Sequence, residues 1–172
     1  MSLPDLPDES PSAPPVPVPD GWTAERDGGT LTLTSPDTCF WTFTAIPGGP
    51  DPAEAVDSAL DGLREEYQDL ESEPVAGDPL AEGEAALDAA FFCLDRTVAA
   101  RVRAFCAAGV TYLLFYQGVD TEVDERRREL EALGRRAVRA IGGSSSGDVA
   151  QEPVGAFGAL EGPPPSSPDR PR

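Results

Sequence analysis

The stretch GEAALDAAFFCLDRTVAARVRAFCAAGVTYLLFYQG, residues 83–118, decides the fold. It reads as three strands, 83–94, 97–107 and 110–118, each with the two-residue period that sends successive side chains to opposite faces. A turn at Asp95-Arg96 opposes Ala85, Leu87, Ala89, Phe91 and Cys93 to Cys106, Ala104, Val102, Ala100 and Val98. Every pair is apolar, and a slip of one residue would mix the faces. The other face then pairs Asp88 with Arg103. A turn at Ala108-Gly109 sets Val102 against Phe115 and Ala104 against Leu113 on the core face. On the opposite face it sets Phe105 against Tyr112, Arg103 against Leu114 and Arg101 against Tyr116. That second face is neither clean core nor clean surface.

Upstream, Asp27-Gly28-Gly29 is a hairpin turn between a short strand at 23–26 and Thr30-Leu31-Thr32-Leu33-Thr34. A third strand at 39–46 sends Cys39, Trp41, Phe43 and Ala45 one way, and Phe40, Thr42, Thr44 and Ile46 the other. Asp51-Pro52-Ala53-Glu54 then reads as a helix start: a capping acid, proline at the first turn, and an acid near the positive end of the dipole. This helix runs to about Asp69, with Ala53, Val56, Leu60, Leu63 and Tyr67 as its apolar stripe. An edge strand follows at 70–76. Downstream, a second helix at 121–141 carries Val123, Leu130, Leu133, Ala137 and Ile141 on one side, with acids at its start and arginines at its end. The fold class is α+β: an antiparallel sheet of about six strands flanked by two main helices.

The domain is expected over residues 16–141. Residues 1–15 are expected to be a disordered proline-rich tail, and 142–172 a tail rich in Gly, Ser and Pro, because neither has the apolar periodicity to offset the entropy of ordering. Ala, Gly, Pro, Arg, Asp and Glu dominate the composition, which suggests a high-GC bacterial genome.

The chain of 172 residues carries 13 basic residues, all arginine, against 31 acidic ones, for a net charge of −18. Such a charge repels polyanions, so nucleic acid and anionic membranes are not expected as partners. With no histidine, the commonest general base and metal ligand are missing. With no lysine, there is no Walker A loop and no Schiff-base nucleophile. No apolar run is long enough to span a bilayer, and Met1-Ser2-Leu3-Pro4-Asp5 does not open a signal peptide, so a cytoplasmic location is expected.

The order hairpin, strand, helix, long meander, terminal helix resembles the PsbP-like/DcrB-like superfamily. So do Pro19-Asp20-Gly21-Trp22, the stretch Gly83 to Asp95, and Tyr112-Leu113-Leu114 ahead of the last helix. The resemblance covers about residues 16–141 and implies an antiparallel sheet flanked by helices. Its members are largely non-enzymatic: extrinsic photosystem subunits, a Ran-binding nuclear import factor, bacterial envelope proteins, and cytosolic chaperones for secreted effectors. The matching motifs are structural, so the resemblance carries over no functional residue.

Cys39, Cys93 and Cys106 fall on core-facing strand positions and read as buried, reduced thiols. The carboxylates are scattered without metal-site spacing; no cofactor, metal or catalytic residue is expected. Arg126-Arg127-Arg128 reads as a salt-bridged helix surface, with Glu122 and Asp124 one turn earlier. Pro165-Ser166-Ser167-Pro168-Asp169-Arg170 fits a polyproline ligand but reads more simply as solvated tail. The mixed face of Arg101, Arg103, Phe105, Tyr112 and Tyr116 is the expected partner-binding site, since aromatics interleaved with arginine are enriched at protein interfaces; a covering helix is its bland alternative. The chain is therefore expected to be a non-enzymatic protein-interaction or chaperone-like module using the sheet face. The alternative is a small-molecule-binding or hydrolytic protein using carboxylates in a sheet–helix cleft.

Overall fold

Seven successive extended segments are realised as a seven-stranded antiparallel sheet with one helix on each face. The computed structural model describes residues 13–144. The elements are β1 (Thr23–Asp27), β2 (Thr30–Thr34), β3 (Phe40–Pro47), α1 (Pro52–Glu66), β4 (Glu71–Pro74), β5 (Ala85–Cys93), β6 (Arg96–Ala107), β7 (Val110–Val119) and α2 (Asp120–Ser144). The strand order is β1-β2-β3-β7-β6-β5-β4. Two meanders build it: β1 to β3, then a crossover through α1 to the far edge, then β4 to β7 returning until β7 pairs with β3.

The register of β6 against β7 is the expected one, with Arg101 opposite Tyr116 and Phe105 opposite Tyr112. The β5–β6 register differs from expectation by two residues. Cys93 pairs with Arg96, so the turn is Leu94-Asp95, and Asp88 opposes Arg101 rather than Arg103. A shift of two preserves which face every side chain occupies, so alternation alone does not separate the two registers. Leu94 at φ 50° and Asp95 at φ 61° give the turn two left-handed residues, as a tight hairpin of matching twist requires.

α1 is started by Asp51, whose carboxylate accepts from the Ala53 amide at 2.9 Å, with Pro52 at the first helical position. It buries Ala55, Val56 and Leu60 against Ala89, Phe91, Ala100, Val102 and Ala104 of β5 and β6. Ala53, expected in the stripe, is exposed. The alanines under this helix let it lie close to the sheet, and Tyr67 at its end stacks on Phe91 with ring centroids 4.1 Å apart.

The larger core is on the other face. Leu31, Leu33, Trp41, Phe43, Leu114 and Tyr116 pack beneath Val123, Leu130, Leu133 and Ala137 of α2. Full burial of a large apolar side chain is worth about 1.5–3 kcal/mol, so this face holds much of the folding energy. Gly134 of α2 lies against the leucines below it: a Cβ there would stand 2.9 Å from Cδ1 of Leu114 and 2.9 Å from Cδ1 of Leu80.

Both expected domain boundaries shift outward. Ala13 and Val16 are buried in the α2-side core, and Arg26 donates to the Ala13 carbonyl at 2.9 Å. α2 continues to Ser144. The remainder of both expected tails, including the Pro165–Arg170 motif, lies outside the described residues.

Candidate functional site

The two-residue period puts Arg101, Arg103 and Phe105 of β6 on the same face as Tyr112, Leu114 and Tyr116 of β7, and of Asp88 on β5. That is the face α2 covers. Arg101 is 7% exposed, Arg103 3%, Phe105 2%, Tyr112 8% and Tyr116 1%. The expected partner-binding face is therefore corrected to interior: its five residues lie beneath α2, which spends its apolar stripe on them and their neighbours. The aromatic half of the strip is ordinary core, with Phe105 stacked on Tyr112 at 5.4 Å between centroids and both rings against Phe43.

The arginine half is a buried ion network. Arg101 grips Asp88 with two parallel hydrogen bonds, Nε to Oδ1 at 2.6 Å and Nη2 to Oδ2 at 2.7 Å, and reaches Oε1 of Glu131 with Nη1 at 2.6 Å. Arg103 donates to Glu84 and, at 3.1 Å, to Oε2 of Glu131. The Tyr116 hydroxyl donates to Glu131 Oε1 at 3.0 Å, and the Arg101 guanidinium lies 5.9 Å from the Tyr116 ring centre. Glu84 uses its second oxygen to accept from the Leu80 amide at 2.5 Å. Three carboxylates thus answer two guanidinium groups, as burial of charge demands. Burial pushes the Tyr116 phenol up, and the charge of Glu131 adds to the effect. The network binds α2 to the sheet through one residue, Glu131.

Glu131 was not singled out in the sequence. A usable signal was present: two arginines on one sheet face need carboxylates from whatever covers them. Glu131 lies beside the apolar stripe of the only helix able to do so, one turn after Arg127.

α2 packs over β6 and β7 and leaves the same face of β5 and β4 open. There a cavity of about 480 Å³ lies between the sheet edge and the N-terminal half of α2. The pair Ala90–Ala99 floors it, Val123 and Arg127 of α2 form one wall, and Glu71 and Glu73 of β4 form the other. Tyr116 and Asp88 close its inner end. Glu71 opposes Ala90 and Glu73 opposes Asp88, so both glutamates rise from the same face as the floor. Neither has an ion-pair partner among the described residues, whereas Arg127 is paired with Asp124 at 2.5 Å. In the sequence β4 reads as a featureless edge strand; its two glutamates gain meaning only once the crossover sets them beside the gap that α2 leaves.

The three cysteines are free. Cys39 is fully buried, and burial pushes its thiol up to about 11, with the charges of Asp37 and Glu122 adding. Cys93 is half-buried near Tyr67. Cys106 corrects the expectation of three buried thiols: it is exposed, because β6 runs past the area α1 covers, and its Sγ lies 3.2 Å from the Thr111 hydroxyl. Arg126 pairs with Asp37 at 2.8 Å and lies 5.6 Å from the Trp22 ring centre, and Arg127 pairs with Asp124. The helix surface is salt-bridged, but not by the expected pairs: Arg126 turns to Asp37 on the β2–β3 loop and to Glu129, Asp124 takes Arg127 rather than Arg128, and Glu122 accepts from Thr38 instead. Among the described residues, no group of three or more Cys, Asp and Glu side chains is placed to hold a metal ion, and no helix is long and apolar enough to cross a membrane.

No protein-family model and no curated protein matches the sequence. Solved structures do match. The Ran-binding protein Mog1p of Saccharomyces cerevisiae is similar at 11% identity and a TM-score of 0.50, over 76% of this chain and 87% of that one. LpqN of Mycobacterium tuberculosis, described as involved in cell envelope biogenesis, is similar at 18% identity and a TM-score of 0.43, over 78% and 83%. PA94 of Pseudomonas aeruginosa, a protein of unknown function, gives 10% identity and a TM-score of 0.41, over 66% and 94%. At such identities the likeness to Mog1p speaks for the fold alone: the chain shares the fold of Mog1p, a helix-flanked antiparallel sheet.

Proposed function

We propose that the protein is a non-enzymatic interaction module that holds a cationic segment of a partner protein in the cleft between β4, β5 and α2. The observation that carries this reading is the pairing of an open, alanine-floored cleft with Glu71 and Glu73, two rim carboxylates that no described arginine neutralises. Small floor residues leave room for a guest side chain. Unpaired carboxylates supply charge complementarity, which governs partner choice and encounter rate more than raw affinity. The overall charge of −18 favours a basic partner from a distance. Mog1p is an instance of a protein-binding role on the same fold. The three unpaired cysteines suit a reducing compartment, and we assign the module to the cytoplasm.

The cleft volume favours a second reading, since pockets for small molecules typically fall between about 300 and 1,000 Å³; on that reading the guest is a small organic cation. A hydrolytic role has less support. Asp88 gives both its oxygens to Arg101, and the remaining carboxylates stand on an open rim.

The test is calorimetric titration of the full chain with a hexa-arginine peptide, a hexa-glutamate peptide and free arginine. The cleft reading expects binding of hexa-arginine alone, weakened about tenfold by Glu71→Gln with Glu73→Gln and weakened further by salt. Binding of free arginine as tightly as the peptide selects the small-cation reading. Hexa-arginine binding that ignores both substitutions overturns the cleft as the site.

A further inference from the structure

The β5–β6 hairpin ends in an apolar tip with nothing beneath it. Leu94 is 92% exposed and Phe92 67%. The turn holds Leu94 at φ 50°, a conformation that glycine or asparagine adopts cheaply and that brings a leucine Cβ too close to the backbone carbonyl. A leucine here takes on strain and, standing clear of the surface, gains no compensating contact in its own fold. Strain held without an internal reward points outward, to a contact made with something else.

The position of the tip says what that contact is. Along β5, Asp88, Ala90 and Phe92 lie on one face. Ala90 floors the cleft, and Phe92, paired with Thr97, is the next side chain beyond it. At about 3.3 Å per residue, Phe92 stands ~7 Å past Ala90 and the turn begins just beyond. The acidic cleft and the apolar tip therefore form one continuous strip along the uncovered edge of the sheet.

We infer that the hairpin tip is the apolar half of the docking surface, and that the occupant is a protein segment with basic residues followed two to four positions later by apolar ones. The basic residues enter between Glu71, Glu73 and Ala90; the apolar ones cover Phe92 and Leu94. This inference rests on the cleft reading above and adds the partner's chemistry and spacing.

The test is fluorescence anisotropy of the full chain with two labelled synthetic peptides: two arginines, two serines, then leucine and phenylalanine, and the same peptide with serines in place of the last two. The unsubstituted protein is expected to bind the arginine–apolar peptide about tenfold more tightly than the all-serine one. Phe92→Ser with Leu94→Ser should bind both peptides alike, at the weaker level. Leu94→Gly, which relaxes the turn, should lose part of the preference, which shows that the side chain matters and not the turn. Both changes lie outside the core, so folding is retained. Retention of the tenfold preference in the double variant overturns the tip inference and leaves the cleft reading standing. Failure of both peptides to bind the unsubstituted protein overturns the two together. A double variant that keeps the peptide preference but loses self-association, or loses binding to phosphatidylcholine vesicles, assigns the tip to a second copy or to a lipid surface and overturns the inference.

Discussion

Tyr116 on β7 donates its phenolic hydroxyl to Glu131 on α2 at 3.0 Å, so the middle of the sheet and the helix above it share one buried hydrogen bond. Arg101 and Arg103 donate to the same carboxylate. Glu131→Ala removes one of the two carboxylates that each guanidinium holds, leaving Arg101 with Asp88 and Arg103 with Glu84, and takes from the Tyr116 phenol its acceptor. Breaking one side of a buried ion network typically costs about 3–5 kcal/mol. Urea unfolding should show a loss in that range, and a loss under about 1 kcal/mol contradicts the network's structural role.

The same carboxylate sets a pH response. Burial alone would push Glu131 up, but the charge of Arg103 and the hydrogen bonds from Arg101 and Tyr116 outweigh it and hold the carboxyl below its ordinary range. Asp88 and Glu84 face the two arginines from the far side, and Arg127 lies one turn away on α2. A lowered folded-state value means that the unfolded chain binds the proton more tightly. The stabilisation is therefore complete above the ordinary carboxyl range and is lost as pH falls through the lowered value. Asp37, held down chiefly by its hydrogen bond from Arg126, acts in the same direction from a more exposed site. Between pH ~6 and ~3 the melting temperatures of the unsubstituted protein and Glu131→Gln should converge. A constant gap contradicts the assignment.

Two glycines answer differently to alanine. A Cβ on Gly118 would stand 2.6 Å from the Cys39 sulfur and 3.0 Å from the Cys39 Cα, and the backbone of that strand end cannot yield. Gly118→Ala should cost about 1–3 kcal/mol. On Gly134 the obstacles are the Cδ1 ends of two leucines, which can turn aside, and alanine is worth about 1 kcal/mol in helix propensity. Gly134→Ala should be close to neutral. Chemical denaturation of the two variants side by side checks the contrast; equal losses contradict it.

The thiols should separate by rate. The thiolate is the reactive form, and raising Cys39 from 9.0 to about 11 leaves about a hundredfold less of it at neutral pH, within a site closed to reagent. Timed alkylation read by mass spectrometry should label Cys106 first and Cys39 last. Labelling of Cys39 ahead of Cys106 contradicts the packing described.

The β6–β7 register and the face of every strand were legible because alternation fixes parity. The β5–β6 turn lies two residues from the expected place because parity is all that alternation fixes; only the left-handed geometry of Leu94 and Asp95 chooses between the alternatives. The strip from Arg101 to Tyr116 was ambiguous for a physical reason. A sheet face that is half aromatic and half arginine suits a partner protein or a helix that brings its own carboxylate, and Glu131 decides for the helix. The cleft was illegible because it is made of a gap. Nothing in Glu71, Glu73 or Ala90 as a sequence says that α2 stops short of them.

Filling the gap beside α2 tests most directly whether it is the binding site proposed above. Ala90 is an exposed floor residue, so Ala90→Trp blocks the cleft without disturbing either core. Titrating the variant with the hexa-arginine peptide should show affinity reduced at least tenfold at an unchanged melting temperature, since substitutions away from buried features usually cost under about 0.5 kcal/mol. Undiminished binding by the folded Ala90→Trp variant would contradict the account.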